Sequence, residues 1–349
     1  MASDEADKRI GTHVPFSKAI KTEKLDSHTY RVNLNEAFCI GSVPNGGCVG
    51  SCMLATASAY LSSRNQPDTL TAHFEYPGRT AVGPAIVVVD DVKPGRQLSI
   101  IHLTLWQGGL LAEAPWVDRA VSRRAVLAYA THTNLQTFTG MTWPTGWKVT
   151  AEATLPPTPD FKVLKTEGVD QTWEEYTLPK SSASLWRSLC NWRFYLPRKG
   201  PLTPGVLDMW LCTASGERIT QKALPYVVDS FPFNMHRFLV APELLALLEA
   251  PPAQGSDGDA RAKEVREKDQ QRASLWYPTV VMNIEAKAAL PEEGVEWLNV
   301  RITSKQIMDG RFDLDILVRD TEGELVSLSH HVALVLSIER NTKRAPPAL

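Results

Sequence analysis

The sequence predicts an α+β fold in which two tandem units each wrap a long antiparallel sheet around a central helix. Three observations support this class: an uncharged helical segment early in the chain, β-strand patterns in both halves, and turns that recur at one constant spacing. The chain has 349 residues, 43 % of them hydrophobic, which suffices for one large core or two medium ones. One unit built twice is therefore the simplest organisation.

The first helix is predicted from residues 41–63, which contain no charged side chain. A helix at a protein surface carries charges on one face, so a helix without them indicates surrounding protein on all sides. The segment has too many Gly, Ser and Thr residues for a membrane span, which requires about 20 mainly apolar residues. We predict a buried helix introduced by Asn45, Gly46 and Gly47; an ordinary core helix of a bundle is the alternative.

Strand patterns follow this helix and return near the C-terminus. Residues 68–79 and 83–117 are rich in β-branched and aromatic residues and are interrupted by turn signals. Residues 279–291 and 296–338 repeat the pattern. Within residues 311–320, apolar side chains alternate with polar ones, so one face of the sheet is buried and the other is solvated. A long sheet around one uncharged helix is the hotdog arrangement.

The two halves match at a constant offset in sequence, which indicates an internal repeat and thus a double hotdog. The matching pairs are Gly95-Arg96 with Gly310-Arg311, Gly108 with Gly323, and Leu110-Leu111 with Leu325-Val326. The repeat also predicts a second buried helix within residues 216–238. A Pro- and Thr-rich connector leads us to divide the chain into an N-terminal unit, 1–154, and a C-terminal unit, 155–349. A charge-dense stretch at about 251–275 is predicted to be a mobile surface insertion.

Composition and missing motifs exclude several classes of function. The formal net charge of −2 provides no basic field for nucleic acid. Five cysteines do not indicate a disulfide framework, and the charged first twenty residues lack the apolar core of a signal peptide. The sequence has no P-loop, no His-Glu-x-x-His and no Gly-x-Ser-x-Gly. We expect a cytoplasmic protein with reduced thiols, no membrane span, no metal and no cofactor.

Several segments together resemble the double-hotdog acyl-CoA thioesterase II-like proteins, especially their fungal thioesterase-like members. The segments are the Asn-Gly-Gly turn with its small-residue helix, LTAHFEYPG at 70–78, GRQLSIIHLTLWQGG at 95–109, and residues 297–336. The resemblance covers roughly residues 12–340 apart from the insertion. It implies two hotdog units packed as a pseudo-dimer, with acyl thioesters bound where the units meet.

The sequence departs from the pattern of that family at two positions. In the family, a Thr-x-Asp motif in the strand after the second helix acts with a Gln near the last strand to activate water. Here Val281 stands in the Asp position and His331 in the Gln position. One interpretation makes His331 a general base with a pKa near 6.5, oriented by Asn283 or Glu285 on the strand face of Val281. The others are a site that has lost hydrolysis, or a histidine with only a structural role.

The candidate substrate-binding residues surround the start of the first helix. Backbone N–H groups of the turn at Asn45, Gly46 and Gly47 are expected to receive an oxyanion, unless Asn45 only caps the helix. Three further candidates each have a simpler structural reading. They are His73 as a half-buried strand residue, Asp229 as a cap before Pro232, and Cys48 as a small core residue.

The leading functional hypothesis is hydrolysis of a fatty or polyketide-like acyl-CoA or carrier-bound thioester by water held between the two units. The first alternative is cyclisation, dehydration or proton transfer on a polyketide in the same cavity, and the second is non-catalytic acyl binding or assembly. The partners considered are an acyl thioester or polyketide, an acyl-carrier protein and a second copy of the chain, with no nucleic acid. A cavity lined by His331 and the Asn45–Gly47 turn would favour an enzyme.

Overall fold

The computed structural model describes residues 14–178, 183–232, 235–240 and 275–342. The α-helices are α1 Phe16–Ala19, α2 Gly46–Leu61, α3 Phe161–Glu167, α4 Leu224–Val228, α5 His236–Leu239 and α6 Glu339–Thr342. The strands of the first half are β1 Thr22–Lys24, β2 Thr29–Leu34, β3 Cys39–Ile40, β4 Val43–Pro44, β5 Asp68–Glu75, β6 Gly83–Lys93, β7 Ser99–Gln107 and β8 Arg123–Thr133. Those that follow are β9 Trp173–Glu175, β10 Trp192–Pro197, β11 Val206–Thr213, β12 Leu275–Trp276, β13 Thr279–Ala286, β14 Leu298–Thr303, β15 Ile307–Met308, β16 Arg311–Arg319, β17 Leu325–Leu334 and β18 Leu336–Ser337.

One continuous antiparallel sheet runs through both halves of the chain. Its strand order is β1-β2-β6-β7-β8-β5-β13-β17-β16-β14-β11-β10-β9, with β15 paired to β16. The halves meet at β5 and β13, where His73 lies directly opposite Asn283. From that joint the order β5-β8-β7-β6 on one side mirrors β13-β17-β16-β14 on the other. The double hotdog predicted from the sequence is therefore confirmed.

Helix α2 is enclosed by protein, as the absence of charge predicted. Every residue from Gly47 to Ser58 is buried. Its small residues permit this close packing, since a Cβ built on Gly47 would lie 2.2 Å from the carbonyl oxygen of Pro225. A side chain at that position would force α2 and α4 apart. The Asn-Gly-Gly opening therefore allows the two central helices to touch at the start of α2.

The second central helix is much shorter than the predicted segment 216–238. Helix α4 has five residues, all buried, and it ends where Asp229 leaves the helical conformation. Pro232 disfavours helical geometry at Phe231, so the helix could not have continued far. It already ends at Val228, and Asp229 lies just beyond it, turned toward the sheet.

The repeat matches the observed turns except at one place. Gly95 and Gly310 precede β7 and β16, and both Gly108 and Gly323 adopt positive φ in the turns that follow these strands. The pairing of Leu110-Leu111 with Leu325-Val326 was wrong, because Leu325 begins β17 whereas the matching strand β8 begins only at Arg123. A loop occupies the intervening residues of the first half.

Other predictions concern the chain as a whole. The insertion at about 251–275 lies outside the described residues except for Leu275, and the division at residue 155 stays a prediction. All five cysteines are free. Within the described ranges, no helix has the length and apolar character needed to cross a membrane.

Candidate active site

A cavity of about 260 Å³ lies where α2 begins, α4 ends and β13 starts. Asn45, Gly46 and Tyr76 line it from the first half of the chain, and Asp229 and Thr279 line it from the second. The remaining wall is mainly aromatic and aliphatic. This cavity therefore combines an apolar lining with one buried carboxylate.

Asp229 is held in place by three hydrogen bonds. Its Oδ2 accepts from the backbone N–H of Gly47 at 2.7 Å, and its Oδ1 accepts from the Thr279 hydroxyl at 2.8 Å. The side-chain amide of Asn45 donates to the Asp229 backbone carbonyl at 2.9 Å. Asp229 is only 7 % exposed, and this burial raises the pKa of its carboxyl to about 6. The hydrogen bonds from Thr279 and Gly47 limit the rise in pKa.

Thr279 reaches Asp229 because of a β-bulge. In the pairing of β13 with β17, Thr279 lies opposite Ala333 and Val281 opposite Val332, so Val280 is an extra residue. Side chains alternate between faces along a regular strand, which would turn Thr279 outward together with Val281. The bulge reverses this and points the hydroxyl toward α4. The sequence alone does not single out Thr279, although it is the Thr of the Thr-x-Asp pattern.

The Asn45–Gly47 turn positions the acid. The Asn45 side chain accepts from the backbone N–H of Cys48 at 2.9 Å and so caps α2, while the N–H of Gly47 is bonded to Asp229. The N–H groups of Gly47 and Cys48 are therefore engaged within the protein and are not offered to an oxyanion. The expectation stays a prediction for the N–H of Gly46. Cys48 is buried against Cys52, and both this contact and its burial raise its thiol pKa well above the usual value. It does not line the cavity.

His331 lies behind Asp229 and is fully buried. Its Nδ1 is 3.8 Å from Asp229 Oδ1, too far for a hydrogen bond. Burial, with a smaller contribution from His330, lowers its pKa to about 3, so the ring is neutral and the two groups do not form an ion pair. The prediction of a base with a pKa near 6.5 was therefore wrong, because a charged imidazole cannot be solvated here.

The tautomer of His331 follows from its other neighbour. The Ser329 hydroxyl donates its one hydrogen to the backbone carbonyl of Asn283 at 2.5 Å. The contact of 3.0 Å between Ser329 Oγ and His331 Nε2 must then be donated by the ring. Nδ1 is left as an unprotonated acceptor, with no hydrogen-bond partner, facing Asp229.

Asn283, Glu285 and His73 lie on the opposite face of the sheet from His331. His331 is paired with Met282 across β13 and β17, and residues directly opposite share a face, so the neighbouring Asn283 and Glu285 point outward. Asn283 Oδ1 lies 2.7 Å from His73 Nδ1, and Glu285 pairs with Lys287. The predicted orientation of His331 by Asn283 or Glu285 is therefore wrong, and His73 lies with Asn283 on the outer face, away from the cavity.

The outer face carries a continuous row of polar and aromatic side chains, and beside it lies a groove of about 640 Å³. Eight adjacent strands each contribute one residue in register. The row is Thr303, Asp315, His330, Asn283, His73, Tyr129, His102 and Asp90. In the part of the chain that the structure describes, no group of three or more His, Cys, Asp or Glu side chains is placed to hold a metal ion.

Comparison with known proteins accounts for both halves of the chain. Residues 34–133 match the acyl-CoA thioesterase N-terminal domain, and residues 162–335 match the acyl-CoA thioesterase C-terminal domain. The chain belongs to the acyl-CoA thioesterase family. This family member is 65 % identical over 342 residues to the thioesterase-like protein TwmA of Talaromyces wortmannii, an alignment that covers 98 % of this chain and 97 % of TwmA.

Solved structures show the same fold for this acyl-CoA thioesterase family member at low sequence identity. A hot dog fold protein of unknown function from Alicyclobacillus acidocaldarius matches with a TM-score of 0.63 and 15 % identity, covering 96 % of this chain and 100 % of the other. The acyl-CoA thioesterase II TesB2 of Mycobacterium marinum matches with a TM-score of 0.54 and 15 % identity, covering 93 % and 98 %. These likenesses establish the architecture of both halves.

Proposed function

We propose that this protein hydrolyses acyl thioesters with a water molecule activated by Asp229 and Thr279. The observation that carries the proposal is a carboxylate buried at the wall of an apolar cavity, bonded to a hydroxyl, with a pKa of about 6. A general base works best when its pKa lies near the operating pH. At neutral pH this carboxylate is mostly ionised and still basic enough to accept a proton from water.

The two side chains divide the work of activating water. The Thr279 hydroxyl donates to Asp229, so its lone pairs are available to accept a hydrogen from the bound water, while the carboxylate accepts the other. The water oxygen attacks the thioester carbonyl carbon as its proton moves to Asp229. When the tetrahedral intermediate collapses, the carbon–sulfur bond breaks and the thiolate takes that proton. The products are a carboxylic acid and a free thiol, and Asp229 is again ionised.

His331 is a positioning residue in this scheme. Its bare Nδ1 faces Asp229 Oδ1 across 3.8 Å, so it accepts a hydrogen bond from the carboxyl only after the carboxyl is protonated. The ring stays neutral throughout, because burial holds its pKa near 3. Its effect is to favour the protonated form of Asp229 midway through the reaction.

The cavity wall suits the acyl part of a fatty or polyketide thioester. Tyr76, Phe231, Trp276 and Tyr277 present rings to the cavity, and apolar surface of this kind binds apolar groups while excluding water. The cavity is lined by Asn45 and Gly46 but not by His331, so the feature expected to favour an enzyme is only partly present. The buried Asp229 carboxylate at the wall is what supports an enzyme over a non-catalytic assembly protein, with Asp229 in the role first expected of His331.

The test is thiol release from a panel of acyl-CoAs by the purified protein and by Asp229→Asn. We expect kcat/KM to fall by about 10²–10⁴ in the variant, the usual contribution of a general base. Asp90→Asn, on the outer face of the sheet, is the matched control and should keep full activity. Folded wild-type protein that releases no thiol from any acyl-CoA would refute general acyl-CoA hydrolysis and favour proton transfer or ring closure on a polyketide.

A further inference from the structure

One cationic side chain lies at the rim of the active-site cavity, among the residues that the structure describes. Among the residues that line the cavity, Arg79 is the single Lys or Arg. It is exposed, and its guanidinium carbon lies 5.1 Å from the ring centroid of Trp276. No carboxylate of the described residues forms an ion pair with it.

The turn that presents Arg79 is fixed from behind. Arg123 donates from Nη2 to the backbone carbonyl of Arg79 at 2.6 Å. A Cβ on Gly78 would lie 2.4 Å from Nη1 of the same Arg123, so glycine leaves room for this support. On the other side, Trp276 is only 8 % exposed and provides a rigid ring for the guanidinium to stack on. The cation is therefore held at the rim and stays available to a ligand.

The arrangement of charge in the cavity is directional. Asp229 is buried inside, whereas Arg79 is exposed at the opening. Trp276 lies three residues before Thr279, so their Cα atoms are at most about 10 Å apart. A thioester whose carbonyl carbon lies at Asp229 and Thr279 must send its thiol carrier out through the opening, and a flexible carrier arm is long enough to cover that distance.

We propose that Arg79, stacked on Trp276, binds the phosphate of the phosphopantetheine arm that carries the acyl group. This inference rests on the proposed function, since it assumes that the thioester carbonyl lies at Asp229. The planar guanidinium offers a fork of donors that matches phosphate oxygens, and stacking on an aromatic ring pre-orders that fork. The same phosphate occurs in CoA and on carrier proteins, so Arg79 selects carrier-linked substrates over simple thioesters.

The experiment compares three thioesters of one acyl group: acyl-pantetheine, acyl-phosphopantetheine and acyl-CoA. Arg79→Met removes the cation and keeps an apolar stem against Trp276. We expect it to raise KM for the two phosphorylated substrates by about 10- to 100-fold, with kcat little changed and with KM for acyl-pantetheine unaffected. Added salt should raise KM of the wild type for the phosphorylated pair more than that of the variant. Arg64→Met, an exposed arginine beyond the far end of α2, is the control.

Other outcomes would overturn the proposal. An equal rise of KM for all three thioesters would make Arg79 a packing residue, no rise would leave it without a role, and a rise for acyl-CoA alone would point to the nucleotide phosphates instead. Once the shared phosphate is established, acyl-carrier protein bearing the same acyl group identifies the natural carrier by whether its KM is below that of acyl-CoA.

A second measurement separates this proposal from the hydrolytic one. If the wild type cleaves none of these thioesters, calorimetric titration with acyl-phosphopantetheine still reports binding at the rim. Binding that weakens in Arg79→Met supports the phosphate site even though hydrolysis has failed. Binding that is absent from the wild type, or unchanged in the variant, contradicts it.

Discussion

Both hotdog units contain a threonine beside a β-bulge and a buried histidine on the neighbouring strand. The hydrogen-bond partners of the two threonines differ. In the first unit, the Thr69 hydroxyl lies 3.1 Å from His132 Nε2. In the second, the Thr279 hydroxyl is bonded to Asp229 and His331 stands apart behind them. The bulges fall at corresponding places, between Thr69 and Thr71 in β5 and at the start of β13.

The difference arises from the lengths of the central helices. Helix α2 runs on to Leu61, whereas α4 stops at Val228 and leaves Asp229 beside β13. In the first unit the nearest acid in sequence, Asp68, accepts from the backbone N–H of Leu135, and no carboxylate of the described residues bonds to the Thr69 hydroxyl. The same sheet geometry therefore serves two purposes, and the shorter helix decides which unit has the acid.

The largest effect we expect is a loss of stability at low pH, to which a buried histidine in each unit contributes. Burial lowers the pKa of His132 to about 4 and that of His331 to about 3. A histidine with a depressed folded pKa stabilises the fold fully above 6.5 and loses that contribution as the pH falls, about 2 kcal/mol each by pH 5. Asp229, whose folded pKa is raised, acts in the opposite direction: its protonation increases the free energy of unfolding by about 1 kcal/mol over the same pH range.

Urea unfolding at pH 7 and pH 5 measures this balance. The free energy of unfolding should fall by about 2–3 kcal/mol, and His132→Gln and His331→Gln should each remove a large part of the fall. An equal free energy at the two pH values would show that these histidines are not held neutral in the folded protein.

The second effect should differ between the two units, because only the second contains the buried Asp229. At pH 8 the ionised Asp229 carboxylate is destabilising relative to the unfolded chain, in which its pKa is lower. Asp229→Asn keeps the shape of the side chain and removes the charge, so we expect the free energy of unfolding to rise by about 1–3 kcal/mol at pH 8 while activity is lost. The gain should vanish near pH 4. Asp68→Asn in the first unit should give no such gain, and destabilisation by Asp229→Asn at pH 8 would contradict the raised pKa.

The elements of the fold that could be predicted from the sequence are those marked by long sequence patterns. Charge-free residues 41–63, alternating strands and recurring turns are long signals, and they predicted the central helix, the sheet and its duplication. The extent of α4 was overestimated because the repeat predicted a buried helix within residues 216–238, whereas the helix ends at Val228 and Asp229 lies just beyond it. A single acid and a single proline are weak signals of a helix end in a segment whose other residues are mostly apolar.

The site was harder to predict because it depends on a shift of one residue. With regular alternation, Thr279 would point outward, and Asn283 and Glu285 were expected to share the face of the catalytic group. The bulge at Val280 reverses Thr279 and leaves Asn283 and Glu285 outside. A bulge has no reliable sequence signature, so only the three-dimensional pairing shows which side chains meet.

The third effect tests whether the two threonines differ in function. Thr279→Val removes the hydroxyl that bonds to Asp229 at nearly constant volume, and we expect kcat/KM for thioester hydrolysis to fall by about 10-fold, the worth of one hydrogen bond. Thr69→Val changes the equivalent position of the first unit and should leave kcat/KM unchanged. Steady-state kinetics on one acyl-CoA suffices, and equal losses in the two variants would place the chemistry elsewhere.

The smallest effect concerns the pH at which hydrolysis begins. If Asp229 is the base, kcat/KM should rise through an apparent pKa of about 6 and level off above it. His331→Gln replaces an acceptor that favours the protonated carboxyl with an amide that can also donate to the ionised one, so the midpoint should move to lower pH by up to about one unit. His132→Gln, which changes the buried histidine of the first unit, should leave the midpoint in place. A profile of His331→Gln that superimposes on that of the wild type would show that His331 only fills space, and the two units would then differ by their acid alone.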